Sequence, residues 1–343
     1  LGLLAAFMIA GYVRDPAHQR RAPSIDYAGI ALLAISVGSI QYLLEQGQRD
    51  DWFDSRLITS LAVIGVTTGA VFIWRELTAK HPIVDFRVLR HRQTWVGTLL
   101  GVVMGVGLYA SVFALPVFLQ DNLHMTAEQT GLILLPGALA TALSMWVAGR
   151  LDGKVDSRLL ITLGALLFAW AMWILSRITG QSGQGDFFWP LILRGLGLGL
   201  MFVPLTTVTL ARLSIHELPQ GTGLYNFFRQ LGGSFGIAAI ATLLDRYSTQ
   251  IRAVLGTHVV RGDPSSTARL NLFQHGFMAR GMDALTASHQ ALQALEMQLR
   301  AQASVIAYSR IYVLSAAMIL SLIPLLLLVG KTKRPSGGGM ILE

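Results

Sequence analysis

No cysteine occurs among the 343 residues, which excludes disulfides, thiolate metal sites and cysteine nucleophiles. Charge is scarce as well. Asp, Glu, Lys and Arg make up 13% of the chain, where a soluble domain carries about 25%. Such a deficit fits a surface that mostly faces lipid. The eight histidines lie between the long apolar runs or at their edges. No H-E-x-x-H pair, G-x-S-x-G elbow or P-loop is present, so ATP hydrolysis on a P-loop of this chain is excluded. Acids are missing where they would matter most. No Asp or Glu lies within 95–119, 130–149, 158–177, 189–211, 222–244 or 304–329. A membrane-embedded enzyme would need acids, bases or metal ligands at depth, so this gap weighs against one, and no metal site is expected.

What remains is hydrophobic: 53% of residues, with a mean hydropathy of +0.54. Runs near the roughly 20 residues needed to cross a bilayer occur at 27–45, 57–75, 95–119, 130–149, 158–177, 189–211, 222–244 and 304–329. The opening "LGLLAAFMIAGYVRDPAHQRR" has no initiator Met and carries its positive charge after the apolar run, the reverse of a secretory signal. Residues 1–12 read as the end of a further span, so the sequence is expected to start inside a longer protein. The net charge of +8 is unevenly placed. Arg20, Arg21, Lys80, Arg87, Arg90, Arg92, Lys154, Lys331 and Arg334 fall on alternate connections and on the tail. "EQGQRDDWFDS" is net acidic and "QDNLHMTAEQ" has no Lys or Arg. The positive-inside rule then puts 13–26 and the C-terminus in the cytoplasm. Trp74, Trp95 and Trp189 sit where an aromatic belt would. The basic charge is a topology signal, so the lipid bilayer is the expected partner and nucleic acid is not.

One connection is long. Residues 245–303 read as a loop outside the membrane containing "ALTASHQALQALEMQLRAQASVIAYSR", and loops of this length are functional or disordered. Leu285, Leu292, Leu295 and Leu299 lie at helical spacing, which predicts at least one amphipathic helix there.

Two spans carry polar residues at depth. In 222–244, helical periodicity puts Thr222, Asn226, Arg229, Gly233 and Gly236 on one face. Leu224, Phe227, Leu231, Phe235 and Ala238 fall on the other. The first face is expected to meet protein and the second lipid, since small residues let helices approach closely. A buried charge in a span is either structural, bonded to carbonyls, or part of a transport path; the residues leave both open. In 189–211, Arg194, Gly197, Met201 and Pro204 share one face, and Gly195, Gly199, Thr206 and Thr209 another, so packing on two sides is expected. Arg194 stands closer to the outer surface and is placed to snorkel there, and Arg310 reads as an interfacial anchor. Gly97, Gly101 and Gly105 form a further packing stripe.

"SIDYAGIALLAISVGSIQYLLEQGQRDDWFDS", "HPIVDFRVLRHRQTWVG", "FVPLTTVTLARL" and "NFFRQLGGSFG" resemble stretches of the EmrB/QacA-type fourteen-span drug:proton antiporters of the major facilitator superfamily, the EmrB-type exporters in particular. The likeness runs in order along the whole chain. It implies an all-α membrane protein, a partial major facilitator helical bundle of about eight and a half transmembrane helices whose N-terminal half is missing. Residues 1–12 would end the sixth span, 13–94 would hold a cytoplasmic segment and the extra linker pair, and 95–343 the C-terminal six-helix transport half. "GRLDGKVDSR" matches the superfamily's cytoplasmic loop motif at Gly149, Lys154 and Arg158. It departs from it at Gly153, which takes the usual acidic position, and at Asp156, which takes a glycine position. "LRGLGLGL" resembles the arginine-and-glycine motif of the fourth span.

The resemblance implies export of hydrophobic or amphipathic compounds across a bacterial inner membrane by proton antiport and alternating access. The proton gradient is the energy source and no cofactor is needed. Arg229, Asn226, Tyr109, Thr206 and Thr207 would line the path, with Arg194 as a polarising neighbour. Loop 245–303 would dock a periplasmic adaptor serving an outer-membrane channel. The alternatives are a narrow exporter of a siderophore or antibiotic and, of another class, a membrane-embedded enzyme or sensor.

Overall fold

Eight helices are long and apolar enough to cross a bilayer, at the eight places where hydropathy predicts them. The computed structural model describes Phe7, Met8, Gly11 and residues 26–78, 84–214, 217–257 and 264–328. Most of the expected remnant span 1–12 and the basic tail lie outside the described residues. In chain order the helices are α1 Tyr27–Gln46, α2 Arg56–Thr78, α3 Arg92–Asp121, α4 Ala127–Leu151, α5 Ser157–Leu175, α6 Gln184–Leu210, α7 Leu218–Thr257, α8 Pro264–Met278, α9 Ala284–Leu320 and α10 Leu322–Leu326. The described residues contain no strand, as expected where every backbone amide must be satisfied within lipid.

Helix α6 is the hub, with α4 against one side, α5 against the other and α3 against a third. Its glycines make this possible. A Cβ on Gly199 would stand 2.6 Å from the Ser144 Cβ of α4, and one on Gly195 would overlap the Gly137 carbonyl of the same helix. On the opposite side a Cβ on Gly197 would lie 2.6 Å from the Gly164 carbonyl oxygen of α5. The Ser144 hydroxyl donates to the Leu196 carbonyl at 2.7 Å and pins the α4–α6 crossing. Helix α9 closes the bundle over α3, α5 and α7. The core between them is aromatic and aliphatic, with Phe118, Phe168, Phe187 and Tyr312 essentially inaccessible. Phe118 meets Tyr308 edge-on at 5.1 Å.

Helices α1 and α2 pair chiefly with each other, and α1 also touches α7. The Ser36 hydroxyl donates to the Gly65 carbonyl at 2.8 Å. Asp26 caps α1 through the Gly29 amide and accepts two 2.9 Å bonds from the Arg75 guanidinium. Those donations hold its carboxyl well down, to about 2. Because the folded value is depressed, this pair supports the fold fully above the free carboxylate range, and the support fades as pH falls through about 2. Helix-end capping thus accounts for Asp26.

Among the described residues, 245–257, 264–278 and 284–303 are helical, so the expected loop is built of helices. Helix α7 continues unbroken to Thr257, and α9 begins at Ala284. At 40 residues α7 is about 60 Å long, twice the roughly 30 Å hydrocarbon core. The two spans therefore project from the membrane as one helical hairpin, bridged by α8. Ile251, Ala303 and Ala307 give it a small core of its own, and Glu296 receives both Arg252 and Arg300. The expected apolar stripe is corrected in register. Ala287, Ala291 and Leu295 are the buried positions, whereas Leu285 and Leu292 are exposed. Alanine at the closest approach lets two helices touch, which leucine would prevent.

The face assignment on α7 also changes. Leu224 and Ala238, expected toward lipid, are buried, and Asn226, expected inside, is exposed. Gly233 and Gly236 do face protein. Each stripe was drawn too wide for the narrow groove that α3 occupies.

Candidate functional site

Exposure separates two kinds of surface. On α4 and α5 the exposed side chains are apolar along the span: Leu135, Leu139, Leu143, Trp146, Leu163 and Trp170 among them. That is a lipid-facing surface. On α7 the exposed positions include Asn226 and Gln230, and on α6 Thr207. Asn226 and Gln230 lie about 12 and 18 Å along α7 from its start at 1.5 Å per residue, near the middle of a roughly 30 Å hydrocarbon core. Polar groups at that depth are expensive against lipid, so the face belongs against water, substrate or further protein.

The geometry of this patch follows from how α3 and α7 meet. Gly101 and Gly105 of α3 and Gly232, Gly233 and Gly236 of α7 remove every Cβ from the crossing. A Cβ on Gly236 would stand 2.6 Å from the Val106 carbonyl oxygen, and one on Gly232 would stand 2.5 Å from that of Val102. A Cβ on Gly233 would strike the Tyr109 ring. The glycine thereby gives that ring its place, and the Tyr109 hydroxyl donates to Gln230 Oε1 at 2.7 Å. One turn below, Tyr225 is fully buried with its ring against Gly101. Gly97, the third of the stripe, lies against Thr209 of α6.

Arg229 is half-buried between these elements. It donates to Asn226 Oδ1 at 3.1 Å, and its guanidinium carbon stands 4.8 Å over the Phe202 ring of α6. Its Nε has no partner among the described residues. The Asn226 amide nitrogen donates back to the Thr222 carbonyl at 3.0 Å. The Thr206 and Thr207 hydroxyls donate to the Phe202 and Val203 carbonyls, which hides their polarity within their own helix. The patch thus offers a cation, two carboxamides, a phenol and an aromatic face, and no carboxylate. Sequence reasoning missed Gln230. Its spacing of four from Asn226, which puts both on one helix face, was the available signal.

Arg194 belongs elsewhere. It does not snorkel; it is 8% exposed inside the bundle. Its Nη1 lies 3.3 Å from the Ser111 hydroxyl and 3.4 Å from the Ser111 carbonyl of α3. Its electrostatic neighbour is Tyr312 of α9. Its guanidinium turns toward α3 and stays inside the bundle. Arg310 is exposed and lies 5.5 Å over the Tyr247 ring, joining α9 to α7.

At the end of the bundle rich in Arg and Lys, Gly149 lies in the last turn of α4, and Lys154 is exposed in the turn to α5. Gly153 has φ +78°, a left-handed backbone that glycine takes without strain, and this accounts for the missing acid there. Asp156 caps α5 through the Arg158 amide at 2.9 Å. Nearby, Arg212 donates to Gln93 at 3.0 Å, and Glu217 stands 3.7 Å from His91. The Ser214 amide and hydroxyl hold the Glu217 carboxyl below its usual range. A cavity of about 320 Å³ lies at the opposite end, between Leu132, Pro136, Gln184 and Phe188. It contains none of the residues of the mid-depth patch. Among the described residues no three His, Asp or Glu side chains converge as metal ligands.

Comparison with known proteins gives a consistent result. A family model described as Major Facilitator Superfamily matches residues 1–237. The chain is 30% identical over 315 residues to the multidrug export protein EmrB of Haemophilus influenzae, covering 91% of this chain and 59% of that protein. It is 28% identical over 341 residues to EmrB of Escherichia coli, covering 99% and 64%. It is 27% identical over 342 residues to the fatty acid resistance protein FarB of Neisseria gonorrhoeae, covering 99% and 65%. The chain therefore spans less than two thirds of the length of these relatives.

Proposed function

Because the chain belongs to the Major Facilitator Superfamily, we propose that it is the C-terminal portion of an exporter that expels hydrophobic or amphipathic compounds in exchange for protons. In this reading 95–343 is one transport half and 13–94 carries the linker pair, with the whole placed in a bacterial inner membrane and its C-terminus in the cytoplasm. The observation that carries it is the polar patch at mid-depth. Tyr109, Asn226, Arg229 and Gln230 gather on a face that the described helices leave open, where a second half would enclose them. Two halves rocking about a shared central site is the expected architecture.

The donor set favours a particular chemistry. An apolar body lies against Phe202 and Tyr109 while an electronegative or anionic head meets the Arg229 guanidinium and the carboxamides. FarB is named for fatty acid resistance and EmrB for multidrug export, and both fit amphiphiles of this kind. Proton coupling falls outside this half. Arginine stays charged at all working pH values, and a carboxylate whose pKa burial raises is the suitable carrier. Residues 95–119, 130–149, 158–177, 189–211, 222–244 and 304–329 contain none, so this reading places the carrier in spans outside this portion.

The test is accumulation of a fluorescent amphiphilic acid in cells that express the chain together with the N-terminal spans its relatives carry. Efflux should stop on adding an uncoupler and should weaken about tenfold in Gln230→Leu, the loss expected from one hydrogen bond of about 1.4 kcal/mol. Efflux indifferent to the uncoupler overturns proton antiport. Unchanged efflux in Gln230→Leu removes the patch from the path.

We assign the projecting hairpin of α7, α8 and α9 to docking a periplasmic adaptor that leads to an outer-membrane channel. Its exposed Val254, Leu272, Leu285 and Met297 are more apolar than a solvated hairpin needs. Replacing 245–303 by a short Gly/Ser linker should preserve transport into the periplasm and abolish efflux from the whole cell. Normal whole-cell resistance with the linker would end that assignment.

A further inference from the structure

Arg194 poses a problem that the transport path does not solve. It is a permanent cation, 8% exposed, on α6 where that helix packs against α3. An unpaired buried charge is costly, and buried charges are normally matched by an opposite one. Here the neighbours are not acids. The guanidinium reaches the Ser111 carbonyl and hydroxyl at 3.4 and 3.3 Å, both long contacts, and the group that senses its charge is the Tyr312 phenol. Its Nε finds no partner among the described residues. The Tyr312 hydroxyl, on a side chain 1% exposed, also finds none. No Asp or Glu occurs within 95–119, 130–149, 158–177, 189–211, 222–244 or 304–329, and Asp121 and Asp186 lie at the ends of α3 and α6.

The free valences are therefore of one kind. Arg194 Nε–H and the Tyr312 O–H both donate. Ser111 Oγ already accepts from Arg194, so its own hydrogen is left to donate. Three donors on three helices, one of them carrying a full positive charge, make a site for an acceptor that is itself negative. Water would satisfy the hydrogen bonds but leave the charge uncompensated. We infer that Arg194, Ser111 and Tyr312 form a buried site for a small inorganic anion of the halide class, which braces α3, α6 and α9 to one another. The site is separate from the open patch around Arg229, and the inference does not depend on what the protein transports.

A ligand that binds only the folded state raises its stability as concentration exceeds the dissociation constant. The purified chain, in detergent, should melt several degrees higher in chloride or bromide than in gluconate at equal ionic strength, and the gain should saturate. Broadening of the chloride-35 NMR line should accompany it and be competed away by bromide. Arg194→Met should remove both effects. Should that variant fail to fold, Tyr312→Phe keeps the inference testable: it deletes one donor without changing shape, and half-saturation should move several-fold to higher halide. Identical melting in chloride and gluconate overturns the site. So does a halide effect that Tyr312→Phe leaves at the same midpoint, which would mark an adventitious ion only.

Discussion

Replacing Arg229 with alanine should abolish the proposed export while the chain still inserts and folds. The two outcomes separate because different atoms carry them. The α3–α7 crossing is made by backbone, through Gly105, Gly232 and Gly236, and asks nothing of the Arg229 side chain. The side chain instead spans from Asn226 of its own helix to the Phe202 ring of α6, with Nε unengaged. It is thus a donor held in readiness at mid-depth. Losing one charge-assisted hydrogen bond to a bound head group costs about 1.5–3 kcal/mol, or about a 10- to 150-fold loss of affinity. Lysine keeps the charge but not the planar fork, so Arg229→Lys should fall between. The measurement is uncoupler-sensitive efflux normalised to membrane-inserted protein. Parental efflux in the alanine variant would reduce Arg229 to a packing residue.

Gly105→Leu should fail earlier, at assembly. A Cβ at this position would collide with the Arg229 carbonyl oxygen and stand 3.1 Å from the Gly233 amide nitrogen. Both are backbone atoms of a helix, so neither can swing aside. Overpacking a core costs about 1–3 kcal/mol where side chains can adjust. Here the whole of α7 must retreat, carrying Tyr225, Arg229 and Gln230 with it. The expected result is a large loss of monodisperse protein after extraction into detergent. Gly131→Leu is the control, since nothing lies within 4 Å of a Cβ there. Equal yields of the two variants would show that the crossing is looser than its geometry states.

The spans were legible because hydropathy summed over twenty residues is a strong signal. Their ends were not, because α7 passes from lipid to water near Asp245 without leaving the helix. Composition reports the solvent and says little about backbone conformation. The same limit hid the orientation of α7. Leu224 and Ala238 face protein and Phe235 does not, yet all three are residues that lipid accepts equally well. In a soluble helix water would have enforced the difference. Polar residues were more informative, and Arg229, Asn226 and Tyr109 were legible as one neighbourhood. Arg194 is not at the surface because its side chain turns inward to Ser111 of α3, a fact of tertiary packing that no local pattern contains.

The unbroken passage of α7 and α9 out of the membrane has a mechanical meaning. A helix without a hinge transmits rotation along its length as a stiff beam. Suppose this half tilts by about 10°, within the scale of known rigid-body transitions. At 1.5 Å per residue the twenty residues of α9 beyond the bilayer form an arm of about 30 Å, so its tip sweeps about 5 Å. The three-residue contact of Ile251, Ala303 and Ala307, together with the ion pairs of Glu296, clamps the two beams so that they swing as one. Under the proposed alternating access, each tilt inside the membrane would thereby be written as a displacement outside it, large enough for anything seated on the hairpin to register.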